Sequence, residues 1–297
     1  MLSAPGGPGA GCCVLCAVSR VLIDSKYCTF VSTVRGEIRR RRSRGDRMTK
    51  TVGLIGSGHI GGAVARLAVA AGLDVVLSNS RGPESLAPLV GELGPRARAA
   101  TPEEAARAAD LVVASVPLAA YERLPADALA GRTVIDTMVY YPYRDGAIEE
   151  LDEGPLTSSG LVQRHLAGSR VVKTFANVDF LRLFTLARPA GAPDRSALAV
   201  AGDDPAAKAE VTGFLDVIGY DTADIGTLAD SWRIGPNTPV HVQPYLGPRP
   251  EGRTDAEERA RWFFQAPGVP VPTARVRELA AAAVPVPAGG ATPASAR

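Results

Sequence analysis

From about residue 51 onward, two hydrophobic periodicities alternate along the chain. Short runs dominated by aliphatic residues at 52–55, 74–77, 111–115, 133–135, 171–174 and 196–200 suit strands that are buried on both faces. Between them lie stretches with apolar residues three and four positions apart, the spacing of one helix face. Residues 60–71 place Val64, Leu67 and Ala68 on such a face and meet Gly72 as a stop. Residues 83–93 predict a second helix with Pro83 near its first turn, and 98–100 a short third strand. Thr101-Pro102-Glu103-Glu104 supplies a capping hydroxyl, a proline that needs no N–H and two carboxylates for the positive helix end, so a third helix opens there. An order of β-α-β-α-β-α-β-β calls for right-handed crossovers and a parallel sheet.

The pattern is less regular afterwards. It predicts a helix over 159–166, strands over 171–174 and 196–200, a long helix over 204–218 opened by Asp203 or Asp204 with Pro205, and a short strand near Asp221. Beyond Pro236 prolines crowd at 239, 244, 248 and 250, and the last stretch is rich in alanine and proline. That composition predicts disorder, broken by helices near 255–262 and 275–282. The resulting expectation is an α/β protein with a Rossmann-type parallel sheet and a second, smaller α/β C-terminal domain. Its parts are a disordered basic extension at 1–47, a nucleotide-binding domain at 50–145, a closing domain at 146–247 and a largely disordered tail at 248–297.

Length and composition allow this, since 297 residues with 46% hydrophobic content can bury a full core. The net charge of +2 hides an asymmetry: residues 1–47 carry +6, which leaves −4 for the rest. An acidic body with a basic head lacks the electrostatic footprint of a nucleic-acid-binding domain. The run Arg39-Arg40-Arg41-Arg42-Ser43-Arg44 reads as a solvated arm. Met48 stands just before the first strand, where such a domain would ordinarily begin, so the head reads as an upstream extension. All four cysteines, Cys12, Cys13, Cys16 and Cys28, lie in this head, and the Cys13–Cys16 gap has no second pair or nearby histidine to complete a zinc site. No secretory signal and no membrane span are evident, so a cytoplasmic location is expected.

The chemistry concentrates at Gly56-Ser57-Gly58-His59-Ile60-Gly61, which matches the dinucleotide fingerprint and falls between a predicted strand and a predicted helix. Gly56 permits the tight turn, Gly58 lets a pyrophosphate approach the backbone, and Gly61 lets helix and strand pack closely. The free N–H groups and positive end of the helix then face the phosphates. An NAD-preferring site places a carboxylate about twenty residues further on. Here Ser78-Asn79-Ser80-Arg81 stands in that place, with hydroxyls and a guanidinium suited to a 2′-phosphate, which favours NADPH. Ser115-Val116-Pro117 ends the fourth strand, under the cofactor's expected path.

These segments, taken with Gly82-Pro83-Glu84-Ser85, Asp136-Thr137-Met138-Val139-Tyr140-Tyr141-Pro142 and Val171-Val172-Lys173-Thr174-Phe175-Ala176-Asn177, resemble the NADP oxidoreductases that depend on the deazaflavin coenzyme F-420. The resemblance spans about residues 50–235. It implies NADPH across the carboxyl edge of a Rossmann domain and a small C-terminal domain closing over the second substrate. Carried over residue by residue, Ser57, His59 and Ile60 would line the phosphates and nicotinamide, Asn79, Ser80 and Arg81 would surround the 2′-phosphate, and Ser115, Val116 and Pro117 would back the ribose. The far wall of the cleft is expected from the 136–143 loop, Asn177 and residues 227–233.

Other chemistries find little support. The histidines, His59, His165 and His241, are scattered, and the body carries no cysteine nucleophile and no serine elbow. Lys173 reads as structural or phosphate-facing, while Tyr140, Tyr141 and Tyr143 either stack on a flat ring or simply pack. Hydride transfer between two rings needs little from side chains. An imine or carbonyl reductase would need a proton donor near the nicotinamide, for which Tyr140, Tyr141 and Lys173 are candidates. A non-catalytic NADP-binding sensor is the third alternative. The expected partner is a small-molecule acceptor or donor, with no nucleic acid, no membrane, no metal, and homodimerisation left open.

Overall fold

The computed structural model describes residues 51–152, 154, 156–248 and 256–285. The basic head, its cysteines and Met48 lie outside the described residues.

Among the described residues, eight strands form one sheet: β1 Thr51–Ile55, β2 Asp74–Ser78, β3 Ala97–Ala99, β4 Leu111–Ala114, β5 Thr133–Asp136, β6 Arg170–Lys173, β7 Ala197–Gly202 and β8 Asp221–Asp224. Their order is β3-β2-β1-β4-β5-β6-β7-β8, and every pairing from β3 to β6 is parallel. This is the Rossmann strand order, whose direction of winding reverses between β1 and β4 and so opens a crevice at their carboxyl ends. The aliphatic runs end up where the sequence pattern requires, with Val52, Leu54, Leu111, Val112, Val113, Val134 and Ile135 wholly buried.

The longer helices are α1 His59–Ala70, α2 Ala87–Leu93, α3 Pro102–Ala108, α4 Ser158–His165, α5 Phe180–Thr185, α6 Pro205–Ile218, α7 Ala256–Gln265 and α8 Thr273–Ala281. Local chemistry sets their ends. The Thr101 side chain accepts from the Glu104 amide while the Glu104 carboxylate accepts from the Thr101 amide, closing a capping box over α3. Asp204 caps α6 through the Ala207 amide, Pro205 takes its first position, and Gly219 at φ 106° ends it. The expected helix over 83–93 is divided into a 3₁₀ turn at Pro83–Leu86 followed by α2. Pro88 explains the break, because it has no N–H to continue the ladder.

Two expectations need correcting. The limits drawn at residues 145 and 146 do not mark a break in the sheet: β6 joins β5 in parallel, and β7 then pairs with β6 antiparallel through Val172–Gly202 and Lys173–Ala201. The smaller C-terminal α/β unit thus extends the same sheet. The described part of the expected disordered tail is also folded. Val271, Val276 and Ala280 are buried in the core, and the Ala197 amide donates to the Val271 carbonyl at 2.8 Å. Arg182, 1% exposed, donates to the carbonyls of Phe263 and Ala266 and so ties α7 to α5.

Candidate functional site

The crevice begins at the turn between β1 and α1, where each glycine answers a different demand. Gly56 lies at φ 99°, and a Cβ on it would sit 2.1 Å from the Ser115 carbonyl oxygen. A Cβ on Gly61 would lie 2.1 Å from the Gly56 carbonyl oxygen. Both positions are closed by backbone, so no side chain fits without a shift. Gly58 differs: a Cβ there would meet nothing within 4 Å. As the N-cap residue of α1, Gly58 also brings no side chain to the helix's first N–H groups. These donors and the positive helix end face open space, which fits a pyrophosphate.

The expected 2′-phosphate turn lies alongside. The Gly56 amide and the Ser57 hydroxyl both donate to the Ser78 carbonyl at 3.0 Å, which clamps the end of β2 to the glycine turn. Asn79 shapes the loop after β2, since its Oδ1 accepts from the Arg81 amide at 2.9 Å and its Nδ2 donates to Ser85 Oγ at 2.9 Å. Its role is to organise the turn. The side chains of Ser80 and Arg81 are exposed, and the guanidinium has no partner among the described residues. Ser115 sits across the crevice, its amide donating to the Ile55 carbonyl at 2.8 Å, with Val116 and Pro117 lining the same opening.

The crevice widens into a cleft of about 1110 Å³. His59 stacks on Phe180 at 4.4 Å between ring centroids and 15° between planes, forming one flank. Met138, Tyr141 and Tyr143 come from the loop after β5, and Trp262, Phe263 and Phe264 from α7. The wall expected from Asn177 and residues 227–233 is formed instead by residues 237–246 and α7. Asn177 is buried under the cleft, donating to Tyr245 Oη at 2.6 Å. The sequence predicts a helix near 255–262 but not its place on the cleft, because alanine- and proline-rich neighbours hide its aromatic Trp262-Phe263-Phe264 run.

The tyrosines of the loop separate into roles. Tyr140 Oη bonds to the Asp152 carboxylate at 2.9 Å and accepts from the Ile148 amide at 3.0 Å, so it braces the following turn. Tyr141 faces the cleft, and its Oη lies 3.2 Å from His241 Nε2. Burial pushes the Tyr141 phenol up to about 12 and holds His241 below the usual histidine range. Lys173 is structural. It is 2% exposed, pairs with Asp136 Oδ2 at 3.2 Å and donates to the Met138 carbonyl. Asp136 also accepts from Ser159 Oγ and the Met138 amide, both at 2.7 Å. The network holds the base of the 137–143 loop to the sheet and leaves no ammonium for substrate.

One carboxylate on the cleft is half satisfied. Asp179 Oδ1 caps α5 through the Leu181 and Arg182 amides, while Oδ2 is buried with no partner among the described residues. Backbone strain gathers here too: the non-glycine residues at positive φ among those described, Phe175, Asn237 and Val242, all line this cleft.

The strand order and the open helix end define a dinucleotide-binding fold. Residues 51–140 match the family model described as NADP oxidoreductase coenzyme F420-dependent, so the resemblance carried by the motifs is shown over that span, and the chain is an NADP-dependent oxidoreductase. Among solved structures it is similar to a hypothetical protein from Sinorhizobium meliloti, at 26% identity and TM-score 0.58, covering 65% of this chain and 93% of that one. It is also similar to a candidate F420-dependent NADP-reductase from Arthrobacter sp. FB24, at 26% identity and TM-score 0.52, covering 62% of this chain and 87% of that one. No curated protein matches the sequence significantly. No helix among the described residues is long and apolar enough to cross a membrane.

Proposed function

We propose that this protein transfers a hydride between NADPH and a planar deazaflavin of the coenzyme F-420 kind, with both held in the one cleft. The observation that carries this reading is the cleft's extent. It runs unbroken from the bare N-terminus of α1 to the aromatic wall of Tyr141, Tyr143 and Trp262, and its 1110 Å³ exceeds what a single small ligand ordinarily fills. The family match over residues 51–140 supports the same acceptor.

The backbone N–H groups at Gly58, His59 and Ile60 would bind the pyrophosphate, and Ser80 and Arg81 the 2′-phosphate. Ser115, Val116 and Pro117 would back the ribose. Asp179 Oδ2 is an acceptor left for an N–H of a bound ring. NADPH supplies the hydride, and the residues lining the cleft set the distance and facing of the two rings.

A second reading, an NADPH-dependent imine or carbonyl reductase, is favoured by the Tyr141–His241 contact, which offers such a reaction a proton donor. Mixing the protein with NADPH and oxidised coenzyme F-420 while following the deazaflavin absorbance separates the two. Loss of that absorbance supports the deazaflavin reading. Unchanged absorbance with nucleotide binding intact refutes it, and turnover of cyclic imines or small ketones would then install the second reading. Inertness to every acceptor would make the protein an NADP sensor.

A further inference from the structure

Two titratable side chains meet on the cleft although they are 100 residues apart in sequence. Tyr141 comes from the loop after β5 and His241 from the proline-rich segment between β8 and α7, with Oη and Nε2 3.2 Å apart. The other imidazole nitrogen, Nδ1, lies 3.3 Å from the Ile234 carbonyl oxygen. A carbonyl cannot donate, so Nδ1 carries a hydrogen, and the neutral ring presents its Nε2 lone pair to the tyrosine. The His241 carbonyl accepts from the Gln243 amide at 2.6 Å across Val242, which sits at φ 60°, ψ −52°. That is a γ-turn, a strained shape for a β-branched residue. It fixes the backbone directly after the imidazole, so the ring's position is specified at a cost in local conformational energy.

We propose that Tyr141 and His241 form a two-step proton relay that supplies the proton accompanying hydride transfer, with Tyr141 Oη touching the acceptor's heteroatom. This inference rests on the hydride-transfer reading above and adds the group that completes its chemistry. In acceptor reduction, the C–H bonding pair of the dihydronicotinamide moves with its hydrogen to the acceptor's electrophilic carbon. The π pair of the conjugated C=N or C=O unit moves to the heteroatom. That atom takes the proton of Tyr141 Oη, Oη takes the Nε2 proton of the His241 imidazolium, and the neutral imidazole is recharged by water. The reverse reaction runs through the same atoms. The reduced acceptor's N–H or O–H gives its proton to Oη, Oη gives its own to the neutral Nε2, and the hydride returns to NADP.

The direction of the relay follows His241. Only the imidazolium, donating through Nε2, leaves the Tyr141 hydroxyl hydrogen free to point into the cleft. The neutral ring draws that hydrogen to itself and leaves Tyr141 an acceptor. Burial and the Lys173 ammonium lower the His241 pKa, while the Ile234 and Ala176 carbonyls oppose that shift. Around Tyr141, burial and the phenol of Tyr143 raise the pKa, Arg144 lowers it and Asp145 raises it. NADPH-driven reduction therefore falls as pH rises through the His241 pKa, and NADP-driven oxidation is lost as pH falls through it.

The test uses the whole protein loaded with NADP(H). In Tyr141→Phe the rate constant of acceptor reduction at saturating NADPH should fall about 100-fold, in the range of general acid catalysis, with NADPH affinity within twofold of the wild type. In His241→Gln the pH limb of kcat should vanish. Thermal melts of both variants check that they fold. A readout independent of turnover is the ¹⁵N resonance of His241 Nε2 in the NADP-bound protein, which should shift in Tyr141→Phe, with the imidazole titrating below the ordinary histidine value in the wild type. An unchanged rate and pH profile in Tyr141→Phe, or an Nε2 resonance indifferent to that change, overturns the relay. A wild type that binds NADPH and reduces no acceptor overturns the hydride-transfer reading instead, and the ¹⁵N measurement then decides whether the pair exists.

Discussion

Gly58 and Gly61 lie three residues apart in one turn and carry opposite predictions. A methyl at Gly58 meets nothing in the protein, so Gly58→Ala should leave the melting temperature unchanged while weakening NADPH at least tenfold, since the methyl enters the space the phosphates need. A methyl at Gly61 drives into the Gly56 carbonyl, so Gly61→Ala should cost about 1–3 kcal/mol of stability, as overpacking does, measured by denaturant unfolding. Arg81 tests nucleotide choice in the same way. Its guanidinium is exposed and unpartnered among the described residues, so Arg81→Glu should weaken NADPH by about 10- to 100-fold, the worth of a charge-assisted contact, and leave NADH nearly unchanged by calorimetry. The glycine turn was legible in the sequence because glycine spacing between a strand and a helix is a local signal. His241 was not legible. A lone histidine among prolines says nothing of a tyrosine 100 residues away, and only the fold brings them together.

The elements explain which boundaries could be read and which could not. Strands β1, β2, β4, β5 and β6 were legible because parallel strands buried on both faces appear as runs dominated by aliphatic residues, whereas β3, with Arg98 at its centre, is a short strand with no buried residue. Helices α3 and α6 announced themselves by caps, a hydroxyl or carboxylate followed by proline. The C-terminal helices carried only weak signals. Val271, Val276 and Ala280 bury a narrow face, and their alanine- and proline-rich surroundings have the composition of a disordered segment. Long-range contacts hold this segment in place: the Val271 carbonyl on β7 and the Arg182 guanidinium on the end of α7. Truncation after Pro248 should therefore abolish the cooperative melt, because it exposes the core beside β7 and β8 and strips Arg182, which is 1% exposed, of two carbonyl partners. A truncated chain that melts as sharply as the full one would show that α7 and α8 only rest on the core.

At the scale of the whole molecule, the sheet does two jobs at one edge. Its parallel half ends in the glycine turn and Ser115, which border the crevice. Its extension through β7 and β8 carries the chain on to the segment and helix that wall the second half of the cleft. The Rossmann half was open to sequence reasoning, and of the other half of the cleft only the 136–143 loop was. The lining of that other half comes from four separated stretches with no common motif, Met138–Arg144, Phe175–Phe180, Asn237–Leu246 and Arg259–Phe264. Direct hydride transfer requires that the one cleft hold donor and acceptor together, so that hydrogen passes between them without exchange with water. NADPH carrying deuterium on the transferring face of its nicotinamide carbon, mixed with the protein and oxidised coenzyme F-420 in ordinary water, tests this most directly. Direct transfer predicts one deuterium on carbon in the reduced deazaflavin, found by mass spectrometry and NMR. Reduced deazaflavin carrying only solvent hydrogen, or no reduction while NADPH binding is intact, would contradict it.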